Sequence, residues 1–267
     1  MAKSANTDTE ITTKDMLEAI NRSGYLLESQ ISEWLIASGF FVVPNQVIKD
    51  SLTGKSREID LLAERFLDGG DNKVAAVIKF VFEIKNNPFP MVLATNSPYI
   101  DSYGGLKEYI SPKIESSISI ENTFYELLIS EKKENIFNQY FSFKRKKDGA
   151  NNSELMAWHP DDFHEGLIKI VQHCDEELEF FTNKSDDNYL RDFLFMPVLL
   201  LGGQLLELTI KKGKPKFKNV KMSKLMYNYH RNDENKSAII WVVTKDGLSD
   251  FISEMSKTEE RVKQNIL

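Results

Sequence analysis

Hydrophobic and polar positions along the chain follow two periods. Between residues 13 and 38, Leu27, Ile31, Trp34 and Leu35 recur at i, i+4, i+7 and i+8, one face of a helix. Gly39 follows, where a helix end favours positive φ. Residues 161–181 (DDFHEGLIKIVQHCDEELEFF) repeat that period through Leu167, Ile170, Val171 and Leu178, with Asp161 or Asp162 able to cap the helix. Leu248, Phe251, Ile252 and Met255 predict a C-terminal amphipathic helix, and residues 121–140 carry a weaker helical pattern. Period 2 marks residues 57–64 (REIDLLAE) and 74–85 (VAAVIKFVFEIK) as strands. Further strands are predicted at 40–43 and 46–48, interrupted at Pro44, at 193–201 and 205–210 around Gly202 and Gly203, and at 237–244. Gly54 punctuates a turn over 51–55, Asp68-Gly-Gly-Asp71 reads as a hairpin loop, and the Asn-, Pro-, Ser- and Gly-rich stretch 86–112 reads as an irregular loop. The mixture predicts an α/β fold with a central mixed β-sheet flanked by helices. It is read as one domain over residues 13–267, after a flexible polar lead-in at 1–12.

Composition narrows the classes. Of 267 residues, 41% are hydrophobic, and 17 Phe, nine Tyr and three Trp supply a core that excludes global disorder. Lys plus Arg is 34 against 40 Asp plus Glu, so a uniformly basic coat for nucleic acid is excluded. A single cysteine, Cys174, allows neither an internal disulfide nor a cysteine-rich zinc site and fits a reducing cytosol. The longest apolar run, 193–201, is about half the roughly 20 residues of a membrane span, and the polar N-terminus lacks a signal peptide's apolar stretch. The expected location is cytoplasmic, with no membrane partner. His159, His164, His173 and Cys174 lack zinc-ligand spacing.

Charge is segregated. Lys144, Arg145, Lys146 and Lys147, with the seven lysines of 211–224 (Lys214, Lys216 and Lys218 among them), hold eleven of the 34 basic residues. The remainder is left with 23 basic against 40 acidic residues, a net of −17. One face can then grip a polyanion while the rest stays soluble, and a long solvated β-hairpin is the alternative for 211–224. Tyr140-Phe-Ser-Phe leads into the first basic run, and aromatics beside cations suit a single-stranded or distorted nucleic acid; core aromatics before a solvated loop is the plainer alternative. Gln139 is a weaker polar candidate.

The chemistry concentrates in the first third. Asp60 and Glu83 each place a carboxylate near the end of a predicted strand otherwise rich in Val, Ile, Leu and Phe. Facing acids repel, and a hard divalent cation relieves the conflict, since Mg²⁺ takes oxygen ligands from one or two carboxylates. Lys85 shares the face of Glu83, about 6.6–7 Å along the strand. There it can orient or deprotonate an attacking water, or offset charge on a phosphate. Glu28 lies at the margin of the first helix's apolar stripe. Glu58, two residues before Asp60, is either a further ligand or a surface charge.

Helix Glu28, strand Asp60 in REID and Glu83-x-Lys85 in FEIK together resemble the PD-(D/E)XK nuclease superfamily. The specific motifs cover roughly residues 26–87, with Ile59 where the family name has Pro. The resemblance implies a restriction-endonuclease-like fold and an Mg²⁺-dependent endonuclease acting on DNA, with Mn²⁺ able to substitute. Asp60 and Glu83 would be ligands, Lys85 the catalytic cation and Glu28 an auxiliary acid. It also makes a role in defence against foreign DNA, and a homodimer or defence-system partners, reasonable expectations. A catalytically weak binding or assembly module, or an RNA-directed nuclease, stay open beside it.

Overall fold

The computed structural model describes residues 11–49, 54–65, 74–96, 105–111, 115, 123–130, 135–148, 152–184 and 190–266, with only the backbone of residues 74, 96, 147, 148, 152 and 153. The expected turn at 51–53, the loop at 68–71, most of the N-terminal lead-in and the side chain of Lys147 lie outside the described residues.

The helix expected over 13–38 is two helices, α1 (Thr13–Ser23) and α2 (Tyr25–Ala37), because Gly24 sits at φ 90° and turns the chain. Thr12 caps α1 through a reciprocal pair of bonds with Asp15. Strands β1 (Phe41–Lys49), β2 (Ser56–Glu64) and β3 (Val74–Lys85) then form an antiparallel meander. Pro44 does not break β1 as expected: β1 is the edge strand, where proline is tolerated, and Asn45 with φ 54° follows it directly.

Helix α3 (Asp161–Asn183) leads into β8 (Leu190–Leu201), which runs parallel to β3 along its full length, from Val74↔Leu190 to Lys85↔Leu201. Between β3 and α3 lie β4 (Met91–Asn96), β5 (Lys107–Ile110), a π-helical turn (Glu126–Ser130), β6 (Ile136–Asp148) and β7 (Asn152–Trp158). After β8 come β9 (Leu205–Lys211), β10 (Lys214–Val220), β11 (Met222–Arg231), β12 (Glu234–Thr244) and helix α4 (Leu248–Ile266). Among the described residues the sheet order is β1-β2-β3-β8-β12-β11-β6-β4-β9-β10, with β5 added on β8 and β7 on β6. It is a large mixed sheet with helices on both faces.

Several expectations change. The loop at 86–112 contains β4 and β5, and residues 121–140 give a π-helical turn and the start of β6. Pairing of β6 with β4 and β11 overrides its weak helical pattern. Pro160, not Asp161 or Asp162, occupies the N-cap of α3, and no side chain caps that end. β7 and β11 were not anticipated.

Alternation along β3 decides which side chains meet which helix. Ile78, Phe80, Phe82 and Ile84 join one core with Leu27, Ile31 and Leu35 of α2 and Phe251, Ile252 and Met255 of α4. Val77 and Val81 join the other, with Phe163, Leu167, Ile170 and Val171 of α3. Each such large apolar side chain contributes about 1.5–3 kcal/mol on full burial. Glu83 and Lys85 share the parity of Val81 and so face α3. Among the described residues, no helix is long and apolar enough to cross a membrane.

Candidate active site

The carboxylates are placed by a local parting of β2 from β3. These strands pair at Leu61↔Phe82, Leu62↔Val81 and Ala63↔Phe80, and the pairing stops there. In the next position Asp60 Oδ2 accepts the Ile84 backbone N–H at 2.7 Å, so a side chain replaces the ladder bond. On the other side of β2, Asn45 takes φ 54°, between the pairs Pro44↔Leu61 and Gln46↔Ile59 that flank Asp60. The distortion also breaks strict alternation: Ile59 packs in the α3-side core, while Leu61 and Ala63 pack in the other.

Glu83 is 3% exposed, a carboxylate almost withdrawn from water. The Lys85 ammonium lies 2.8 Å from its Oε1. A second ammonium, unanticipated from the sequence, comes from α3: Lys169 Nζ lies 2.5 Å from Glu83 Oε2 and 3.3 Å from Asp60 Oδ1. Helix and strand approach this closely because residue 166 is Gly. A Cβ there would fall 2.5 Å from Glu83 Oε1. Asp60, Lys169, Glu83 and Lys85 thus alternate in sign, and the repulsion expected between the two acids is offset by the protein's own lysines.

The proton affinities report the same crowding. Burial, then the Glu83 charge, lifts the Asp60 carboxyl above its ordinary value, against Lys169 and the Ile84 N–H. Glu28 is raised by burial and then by Asp60, Glu83 and Glu58, so the structure does bring it into the field of the two strand acids. For Lys85, burial acts downward, but Glu83, Asp60 and Asp162 prevail and hold it above the usual lysine value. Lys85 is therefore held as a cation, suited to orienting water or offsetting phosphate charge and not to taking a proton.

No family model, curated protein or solved structure matches the chain. The site is therefore read from its own chemistry.

Among the described residues, no group of three or more His, Cys, Asp or Glu side chains is arranged to hold a metal ion. Two oxygens nevertheless suit a hard cation. Glu83 Oε2 is buried, and the charge set against it is the Lys169 ammonium at 2.5 Å. Asp60 Oδ1 shares that same ammonium. The point between them already carries a positive charge, and the donors are carboxylate oxygens, the ligand type Mg²⁺ takes. The donor set fits.

The basic segments separate. Lys144 lines a cleft of about 300 Å³ together with Lys85, Phe89, Phe143, Trp158 and Asp162, and its ammonium lies 4.3 Å from the Trp158 ring centre. Arg145 and Lys146 are exposed on the same β6–β7 hairpin. Lys214, Lys216 and Lys218 are exposed on β10 at the end of the sheet. Lys218 borders a different cavity, with Ser223, Lys224 and Trp241. Tyr140 is buried against His159, ring centres 4.4 Å apart, and is no stacking platform. Gln139 accepts from the Thr95 hydroxyl at 2.6 Å. His173 and Cys174 are buried in α3, and His164 meets the Tyr227 hydroxyl at 2.9 Å.

Sequence reasoning missed Lys169, Gly166 and Trp158. Gly166 carried a usable signal, since a glycine inside a helix costs about 1 kcal/mol relative to Ala and so invites a packing reason. Lys169, three residues on, lies on the same face.

Proposed function

We propose that this chain is a metal-dependent nuclease that hydrolyses phosphodiester bonds in DNA. The reading is carried by one observation: Asp60 and Glu83, from neighbouring strands, share one buried point with two lysines, within the field of Glu28. Asp60 and Glu83 would hold Mg²⁺, or Mn²⁺ in its place. Bound there, the ion supplies Lewis-acid polarisation of a phosphoryl oxygen and a water of lowered pKa. Lys85, held protonated, binds a phosphate oxygen and offsets the negative charge that grows there. Glu28, with its raised proton affinity, is suited to accept a proton from water.

A second reading is favoured by Lys169, which with Lys85 already offsets Asp60 and Glu83 without a metal. In it, the charge array is structural, and the chain is a nucleic-acid-binding or assembly module. The discriminating experiment incubates the protein with supercoiled, linear and single-stranded DNA and with RNA, each with Mg²⁺, Mn²⁺ or EDTA. Cleavage confined to the metal-containing DNA reactions supports the nuclease. Binding without cleavage under every condition supports the module, and cleavage of RNA alone redirects the substrate.

A further inference from the structure

We infer that the cleft beside Lys85 is a base-binding subsite for single-stranded polynucleotide, in which one unstacked nucleobase lies against Trp158. The inference rests on the nuclease reading for what happens at Lys85, but the cleft makes its own case. Its walls are the rings of Phe89, Phe143 and Trp158, all half-buried, and its rim carries Lys85, Lys144 and Asp162. A nucleobase has the complementary form, two apolar faces with a polar edge. The cleft, about 300 Å³ and open to solvent, has room for one flat heterocycle.

The Lys144 ammonium lies over one face of the Trp158 ring, 4.3 Å from its centre, and a base that stacks on that face displaces it toward the rim. Aromatic faces that attract a cation also stack bases, and stacking tolerates any sequence because every base has a π-face. Asp162 keeps a phosphate from the depth of the cleft by like charge, and it can accept from the exocyclic amine of a base. The phosphates are left to Lys144 and Lys85 at the rim. Because Lys85 also pairs with Glu83, a strand with a base in the cleft carries its adjoining phosphate to the carboxylates. Bases within an intact duplex are stacked and paired and cannot enter, so the occupant is a single strand or a frayed end.

The test is binding measured in EDTA, where cleavage chemistry plays no part, by fluorescence anisotropy of three end-labelled ligands. These are an oligo-dT strand, an abasic strand with the same number of phosphates, and a blunt duplex. The wild-type protein should prefer oligo-dT over both others. Trp158→Ala should weaken oligo-dT binding by about 5- to 150-fold, the usual worth of one stacked base, and leave abasic binding nearly unchanged. Trp158→Phe, which keeps an aromatic face and most of the packing, should retain the preference for oligo-dT over the abasic strand. Equal wild-type affinity for oligo-dT and abasic strands, tightest binding to duplex, or an equal loss on both single strands in Trp158→Ala would overturn the subsite. Should the alanine variant fail to fold, the wild-type and Trp158→Phe comparisons decide alone. Failure of the nuclease reading shows separately, as absence of metal-dependent cleavage, and leaves these affinities as they are.

Discussion

Gly166 on α3 and Glu83 on β3 touch so closely that one added methyl on Gly166 would come within 2.5 Å of the Glu83 carboxylate. In an ordinary solvent-facing helix, Gly→Ala stabilises by about 1 kcal/mol. Here Gly166→Ala should destabilise by about 1–3 kcal/mol, as overpacking does, and displace Glu83 from Lys85 and Lys169. A displacement of about 1 Å at a reacting centre can cost about 100-fold in rate. Chemical denaturation of the two proteins checks the sign, and a stabilised variant would show that helix and carboxylate do not touch.

Lys169 pairs with both Asp60 and Glu83, the carboxylates that would hold a divalent cation, so the two cations would compete for the same oxygens. Lys169→Met removes the resident charge from two acids, and breaking a buried pair costs about 3–5 kcal/mol. The melting temperature in EDTA should fall, and the upward shift on adding Mg²⁺ should grow. Asp60→Asn should act oppositely. Its carboxyl is held above the ordinary value by burial and Glu83, so loss of the charge should raise the EDTA melting temperature and shrink the metal shift. Thermal melts of both variants with and without metal provide the comparison, and metal shifts equal to wild type in both would remove Asp60 and Glu83 as ligands.

The alternation in REIDLLAE and VAAVIKFVFEIK was enough to place Glu83 and Lys85 on one face, because a period of two leaves no freedom once one face is buried. Reading both segments as successive strands also brought Asp60 and Glu83 onto neighbouring strands, whereas the place of Glu28 near them came only with the resemblance. What it did not carry is the partner on the far element. Lys169 looks like any polar position on an amphipathic helix until α3 is laid on β3, an ion pair 86 positions from Glu83 in the chain. Alternation also failed at Ile59, where the strand parts and Asn45 takes positive φ. The helix expected over 121–140 failed because the pairing that makes β6 comes from β4 and β11. The two basic runs look alike in sequence, yet Lys144 of the β6–β7 hairpin lines a cleft with Lys85, while β10 lies at the far end of the sheet.

A second pair of buried acids sets the pH response. Glu108 accepts the Phe124 and Tyr125 N–H groups at 2.8 and 3.2 Å, which suits its ionised form. Asp192 is fully buried, and neither of its oxygens receives a bond from a donor, which suits a protonated acid shared with Glu108. Burial first, then Glu108, pushes Asp192 up to about 9 from 3.8. The folded state therefore holds a proton that the unfolded chain releases. The stability this confers is complete below pH 3.8 and is lost as pH rises to about 9. Asp192→Asn should flatten the fall of melting temperature across that window. A residual slope remains from Glu108 and Glu259, each pushed up to about 7, chiefly by burial. A profile parallel to wild type would place the Asp192 proton elsewhere.

The hairpin at the cleft should dominate the salt dependence of nucleic-acid binding. Replacing Lys144, Arg145 and Lys146 by Gln should reduce the slope of log affinity against log salt by about one unit for each phosphate no longer neutralised. The same change at Lys214, Lys216 and Lys218, on the strand that ends the sheet, should reduce it less. The reverse order would move the binding face to β10.

The rate of single-turnover DNA cleavage by Lys85→Ala, at saturating Mg²⁺ and with binding measured in parallel, tests the central claim most directly. Lys85 is partly exposed, pairs with Glu83 and fills no core volume, so its loss should spare the fold. Removing one charge-stabilising group of this kind lowers the rate by about 100- to 1,000-fold, and in single turnover with the DNA fully bound that loss should far exceed the weaker affinity left by one missing phosphate contact. Cleavage by Lys85→Ala at the wild-type rate would contradict the assignment of the Asp60, Glu83 and Lys85 array as the catalytic centre.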